Sequence, residues 1–354
     1  MRSPRFHRRR AFLPALGLMV ANAAAMAAPL PERLSDTGLF VAGSTTVVRP
    51  EILSFTPQYP LWSDGAVKRR WLYLPPGSTI DAAQPNAWQF PVGTRLWKEF
   101  SVGRRVETRY IERLEDGSWR YATYAWTEDG RDALLAPADG IPALVLSETG
   151  TGRYVIPSEL DCRACHEGAP VPVLGVSALQ LSPDRDPLAP HAEHLRPGDV
   201  DLRSLVERGW LRNLPQPLID RAPRIEAASP TERAALGYLH GNCGHCHADP
   251  AATAAAVPVG IVLAQDVLNP SATAKVMRSL LGAPSRFMPS GRTTAAPVVA
   301  PGDSGNSVLT QRMRSRNPQV QMPPLGTAIP DSAGLALIER WIDHDLPSTQ
   351  EHQP

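Results

Sequence analysis

Two five-residue runs constrain this chain more than any other feature of it: Cys162-Arg163-Ala164-Cys165-His166 and Cys243-Gly244-His245-Cys246-His247. Together they consume all four cysteines of the 354 residues. Four cysteines are too few to staple so long a chain with disulfides, so their spacing carries the meaning. C-x-x-C-H is the attachment pattern of c-type haem. Two thiols add to the two porphyrin vinyl groups, and the adjacent histidine becomes the proximal iron ligand. The spacing therefore predicts two covalently bound haem c groups. Cys162, Cys165, Cys243 and Cys246 are the attachment residues, and His166 and His247 the axial iron ligands. Disulfides within each run would close very short loops and leave both histidines unexplained. A single Cys₄ zinc site usually draws its ligand pairs from closer in sequence. A thioredoxin-like redox pair needs a βαβ context, which neither run has.

The chain that must hold these groups is rich in proline, 37 of 354 residues, roughly twice ordinary usage. That argues against a helical bundle and for long, stiff, turn-rich connections. Hydrophobic residues at 43% and charged residues at 20% are enough for a sizeable core. A net charge of +1 excludes nucleic-acid binding driven by bulk charge. The charge is uneven, however. Arg2, Arg5, Arg8, Arg9 and Arg10 precede an apolar run from Ala11 to about Ala21 and the small-residue stretch ending Ala25-Met26-Ala27. This is the layout of a cleaved signal peptide over residues 1–27, so the expected location is the periplasm. Its apolar core is shorter than the roughly 20 residues of a membrane anchor. Arg9-Arg10-Ala11-Phe12-Leu13 also resembles a twin-arginine export signal. Removing the leader takes the net charge from +1 to −4. No later stretch reads as a transmembrane segment.

Residues 28–155 read as a β-rich N-terminal domain. Six of the eight tryptophans lie there, in short alternating runs separated by turn signals. The clearest element is a hairpin, Val106 to Leu114 and Ser118 to Trp126, joined at Asp116-Gly117. Residues 156–228 read as a proline-rich first haem-binding segment with a short helix around Asp199 to Trp210. Residues 229–354 read as a C-terminal cytochrome c-like domain. Ser229-Pro230-Thr231-Glu232 predicts a capped helix leading into Cys243. Asp331 or Ser332 caps a final helix carrying Leu335, Ile338 and Ile342. The fold class expected is thus α+β and multidomain. A β-sandwich-like domain is followed by a mainly α haem-binding region.

For the second haem a sixth ligand is expected at Met322, in Gln321-Met322-Pro323-Pro324-Leu325-Gly326. A soft thioether opposite histidine raises the reduction potential. For the first haem the candidates are His191, His194, Met288, His240 and His245, with an open iron as the alternative.

These residues carry a resemblance to a bacterial family of exported dihaem c-type cytochromes. Pro60-Leu61-Trp62-Ser63-Asp64, Lys68-Arg69-Arg70, Leu74-Pro75-Pro76-Gly77 and Phe90-Pro91-Val92-Gly93-Thr94 fit its N-terminal pattern. Val298-Val299-Ala300-Pro301-Gly302-Asp303, Met322-Pro323-Pro324-Leu325-Gly326 and Leu337-Ile338-Glu339-Arg340-Trp341-Ile342 fit its C-terminal module. The resemblance implies two covalent haems and electron transfer with a periplasmic redox partner protein. It names no substrate. Two other readings compete with the carrier: a haem-dependent oxidoreductase or peroxidase with one open iron, and an aromatic β module for polymer docking with an electron-transfer tail. Exposure of Trp62, Trp88 or Trp119 would favour the latter.

Overall fold

In a computed structural model, the residues described are 28–145, 153–250, 260–288, 291 and 293–346. The expected signal peptide of residues 1–27 and the alanine-rich run 251–256 lie outside them.

The order of the strands places the site. An antiparallel sheet of six strands runs β1-β2-β4-β5-β6-β7. Its members are β1 (Leu53–Ser54), β2 (Val67–Tyr73), β4 (Arg95–Val102), β5 (Arg104–Arg113), β6 (Trp119–Trp126) and β7 (Ala133–Leu135). The Asp116-Gly117 turn closes the β5–β6 hairpin, with Ile111 opposite Tyr121. Gly117 takes φ +84° there, a conformation glycine adopts without steric cost. Alternate side chains divide between the two faces. On one face Trp71, Trp97, Tyr110, Tyr124 and Trp126 are covered by Leu34, Leu39, Phe40 and Ile52 from the N-terminal segment. On the other, Leu72 and Leu96 pack with Trp88, Phe90, Val173, Val176, Leu202 and Leu205. Short β3 (Ile80–Asp81) pairs in parallel with β10 (Leu211–Arg212), and β8 (Ile141–Val145) with β9 (Arg153–Ile156).

The helices are short: α1 (Glu159–His166), α2 (Leu202–Glu207), α3 (Gln216–Asp220), α4 (Pro230–Cys243), α5 (Ala272–Leu280), α6 (Val308–Arg314) and α7 (Ser332–Arg340). A π turn over Trp341–Asp345 continues α7. Leu236 and Leu239 of α4 share a core with Ile338, Trp341 and Ile342. Tyr59 is inserted into that core from the connection between β1 and β2. A β-carbon on Gly237 would lie 2.0 Å from the Tyr59 ring. None of the described helices is long and apolar enough to cross a membrane.

Two expectations about the fold class are corrected here. The β part is one six-stranded sheet faced by chain segments, not a sandwich of two sheets. The chain after residue 156 is not a mainly α, cytochrome c-like region. The described structure is mostly β, and its seven α-helices run from 5 to 14 residues with irregular connections between them. The physical reason lies in the breakers. Nine prolines fall between residues 170 and 223, each removing a backbone donor and clashing with a preceding helical turn. The chain there lies across the sheet in extended loops, and its apolar residues complete the sheet's core.

Candidate functional site

Helix α1 carries the whole first motif. Ser158 starts it with a capping box: its Oγ accepts the Asp161 N–H at 3.1 Å, and the Asp161 carboxylate accepts the Ser158 N–H at 2.9 Å. Cys162 and Cys165, three apart, fall on one helix face. The helix leans on β6, where the His166 and Tyr121 rings lie 5.5 Å apart. Nδ1 of His166 meets the Pro172 carbonyl oxygen at 2.5 Å. A carbonyl only accepts, so the ring proton sits on Nδ1 and Nε2 keeps its lone pair. Such an outer hydrogen bond orients metal-bound histidines.

The second motif begins at the last residue of α4. Ser229 Oγ caps the helix by accepting the Glu232 N–H at 3.0 Å. The Glu232 carboxylate reaches back one residue further than a capping box, to the Ala228 N–H at 2.9 Å. Past the helix end, the His247 N–H still bonds the Cys243 carbonyl at 2.9 Å, so the motif forms one more turn. Gly244 sits in a tight place: a β-carbon there would lie 2.6 Å from the His240 carbonyl and 3.1 Å from Ala264 Cα. Nδ1 of His247 is buried and has no hydrogen-bond partner of ordinary geometry among the described residues.

Both motifs open into a single cavity of about 970 Å³, at the upper end of the roughly 300–1,000 Å³ of ligand sites. Its lining includes all seven residues singled out from the sequence: Cys162, Cys165, His166, Cys243, Cys246, His247 and Met322. The two motifs adjoin. A β-carbon on Gly168, just after the first, would lie 3.8 Å from the His245 carbonyl of the second. Burial raises all four thiols, Cys165 to about 11 and Cys243 to about 12. Burial likewise depresses His166 to about 4 against the opposing Pro172 hydrogen bond, and it lowers His247. These imidazoles are neutral at ordinary pH, the form that binds iron. The four cysteines form no disulfide. Among the described residues no three His, Cys, Asp or Glu side chains converge on a metal ion position. Two thiol pairs, two neutral imidazoles and a thioether around one apolar cavity fit two haem c groups.

Met322 is held by the loop around it. Its N–H donates to the Arg312 carbonyl at 3.0 Å. Further along, the Asp64 carboxylate accepts the Ala328 and Ile329 N–H groups, and the Trp62 indole N–H donates to the Ile329 carbonyl at 3.0 Å. Sequence reasoning noted Asp64 only as part of the resemblance, and Trp62 there and as a candidate docking residue; their polar reach across the fold has no local signal.

Of the sixth-ligand candidates for the first motif, His191 is committed to Asp331 at 2.8 Å and stacks beside Trp62. His194 and Met288 are exposed, and none of these three lines the cavity. His240 and His245 do line it. His240 Nδ1 accepts the Gln265 N–H at 3.1 Å, so its neutral ring holds the proton on Nε2 and presents a donor. None of Trp62, Trp88 and Trp119 is exposed: Trp88 is fully buried, Trp62 lines the cavity and Trp119 packs edge-on against Phe90.

The cavity also receives charges that sequence reasoning passed over, chiefly Lys98 of β4 and Arg109 of β5. Their signal was a pair of cations at inward positions of alternating strands. No family model, no curated protein and no solved structure matches the chain.

Proposed function

We propose that this protein is an exported dihaem c-type cytochrome that transfers electrons between partner proteins of the periplasm. One observation carries the reading: both C-x-x-C-H motifs, 81 positions apart in sequence, and Met322 line one apolar cavity. When bound, each haem supplies a one-electron iron couple. The chain's own contribution is to hold and surround these groups. Cys162 with Cys165, and Cys243 with Cys246, would anchor the two rings. His166, its Nδ1–H given to Pro172, presents Nε2 to the first iron. His247 and Met322 would serve the second. Because the motifs adjoin within one cavity, the two groups would lie side by side, as electron transfer between them requires.

A pyridine haemochrome assay on protein matured in a host with haem-attachment machinery tests this. Two haems per chain are expected, and a Cys243→Ala/Cys246→Ala variant should keep one. Zero haems in the parent protein would overturn the reading.

A second reading, an oxidoreductase or peroxidase with an open first iron, draws support from the three sixth-ligand candidates that lie away from the cavity. Visible spectra with carbon monoxide or peroxide separate the two. A first iron that binds either molecule favours the enzyme; no binding favours the carrier.

A further inference from the structure

Three cations stand side by side across the middle of the sheet. Arg70 of β2 is opposite Lys98 of β4, and Lys98 is opposite Arg109 of β5. All three line the cavity. Each of the outer two is paired with an acid of the protein, although Arg70 Nη2 has no hydrogen-bond partner among the described residues. Arg70 pairs with Glu193 at 3.2 Å. Arg109 reaches Glu107 at 2.6 Å, and the same carboxylate oxygen accepts the Tyr154 hydroxyl at 2.8 Å. Lys98 is different. Its amine makes no hydrogen bond or ion pair with a described residue, and its recorded contact is the Phe100 ring, 4.9 Å away. Lys68, on the same face, gives its amine to the Leu61 carbonyl at 2.9 Å.

A charged amine withdrawn from water without a partner is costly, and proteins pair such groups. Glu107 acts electrostatically on Lys98 but is bonded to Arg109 and Tyr154, and no carboxylate among the described residues comes within ion-pair distance of the amine. The acids that line the cavity bond elsewhere: Asp64 to Ala328 and Ile329, Asp161 to the α1 cap, and Asp331 through Oδ1 to His191 and Gly334, its Oδ2 having no hydrogen-bond partner among the described residues. The missing partner is therefore an anion that the cavity receives. The lining around it is mainly apolar and suits a porphyrin ring. A porphyrin's only anionic groups are its two carboxylate arms.

We propose that Lys98, backed by Arg109, receives a propionate carboxylate of the haem anchored by Cys162 and Cys165. The assignment to that haem follows from position: Lys98 is opposite Arg109 and Arg109 opposite Thr123 of β6, on the face where Tyr121 meets the His166 ring at 5.5 Å. Lys98 acts on His245 as well as His166, so the position of Arg109 beside the first motif decides it. This rests on the dihaem reading above.

The test uses the full chain matured with haem and compares the parent protein with Lys98→Met and Lys98→Arg. Removing a positive charge beside an iron favours its oxidised state. Lys98→Met should keep two haems by haemochrome assay and lower one of the two midpoint potentials. A tenfold shift in the reduction equilibrium is expected, about 59 mV for a one-electron couple. Lys98→Arg should restore that potential. The resonance Raman bending mode of the haem propionates should shift in both variants, because either alters the hydrogen bond. Lys98→Met that holds two haems with both potentials and the propionate mode unchanged overturns the assignment alone. If Lys98→Met fails to mature, an unshifted propionate mode in Lys98→Arg overturns it. A parent protein without haem overturns the dihaem reading, and this assignment with it.

Discussion

The Asp64 carboxylate accepts the backbone N–H of Ile329 at 3.0 Å, across 265 positions of sequence. It also takes the Ala328 N–H at 2.9 Å. A segment just upstream of β2 thereby clamps the end of the loop that begins at Met322. Asp64 itself sits at φ +51°, in the left-handed region that aspartate tolerates better than most residues.

Asp64→Ala should free that loop. Each hydrogen bond to a charged acceptor contributes about 1.5–3 kcal/mol, so the loop end loses its main tether. The expected outcome is partial loss of the weak near-infrared band of methionine-ligated ferric haem, with two haems still attached. Met322→Ala should abolish the band outright. A band untouched in Met322→Ala would remove Met322 as the sixth ligand.

Cys162→Ala/Cys165→Ala should leave one haem per chain and spare the near-infrared band, because the proposed reading assigns Met322 to the other site. Loss of the band together with the first haem would show that the methionine belongs to the first motif. Haemochrome content and near-infrared absorption on the same sample decide it.

His240 sets a pH dependence. Burial holds its imidazole down at about 4, with His245 adding to the effect, whereas an exposed histidine titrates near about 6.5. The folded state therefore refuses a proton that the unfolded chain accepts. Its contribution is complete above about pH 6.5 and is lost as pH falls toward about 4. Between those limits a single group changes stability by at most about 1.4 kcal/mol per pH unit. Urea midpoints of the holoprotein at pH 7 and pH 5 should fall less in His240→Gln than in the parent. Equal falls would mean that His240 is not the group responsible.

Gly237→Ala should destabilise the protein although alanine is the better helix former by about 1 kcal/mol. The new methyl group would lie 2.0 Å from a Tyr59 ring that cannot easily yield. Its hydroxyl bonds Asp186 at 3.1 Å and its backbone N–H bonds Gln180 at 3.0 Å. Overpacking of this kind costs roughly 1–3 kcal/mol, so a lower denaturation midpoint is expected. A raised midpoint would show that Tyr59 moves aside freely.

The two C-x-x-C-H motifs, the hairpin at Asp116-Gly117 and the caps at Ser229 and Asp331 were legible because each depends on residues within a few positions of one another. Thiol spacing, left-handed turn geometry and first-turn N–H groups are local physics. Helices α5 and α6 were missed, since 7- to 9-residue helices take their stability from packing and not from propensity. The expected mainly α second half failed for a related reason. Its apolar residues, such as Val173, Leu202 and Leu205, were expected in a separate proline-rich haem-binding segment, yet they pack with Trp88 and Phe90 against the sheet. Nothing local says which surface an apolar residue will cover.

The sequence by itself determined which atoms could anchor a cofactor, because C-x-x-C-H is a covalent and coordinative pattern written in adjacent positions. Only the tertiary structure decided that the two motifs share one cavity. It also decided that Asp64 holds the loop of Met322, and that Lys98 stands in the cavity wall with no hydrogen bond or ion pair to a described residue. These are relations between residues tens to hundreds of positions apart. They follow from burying the two faces of a sheet, a requirement on the whole chain that no short window contains.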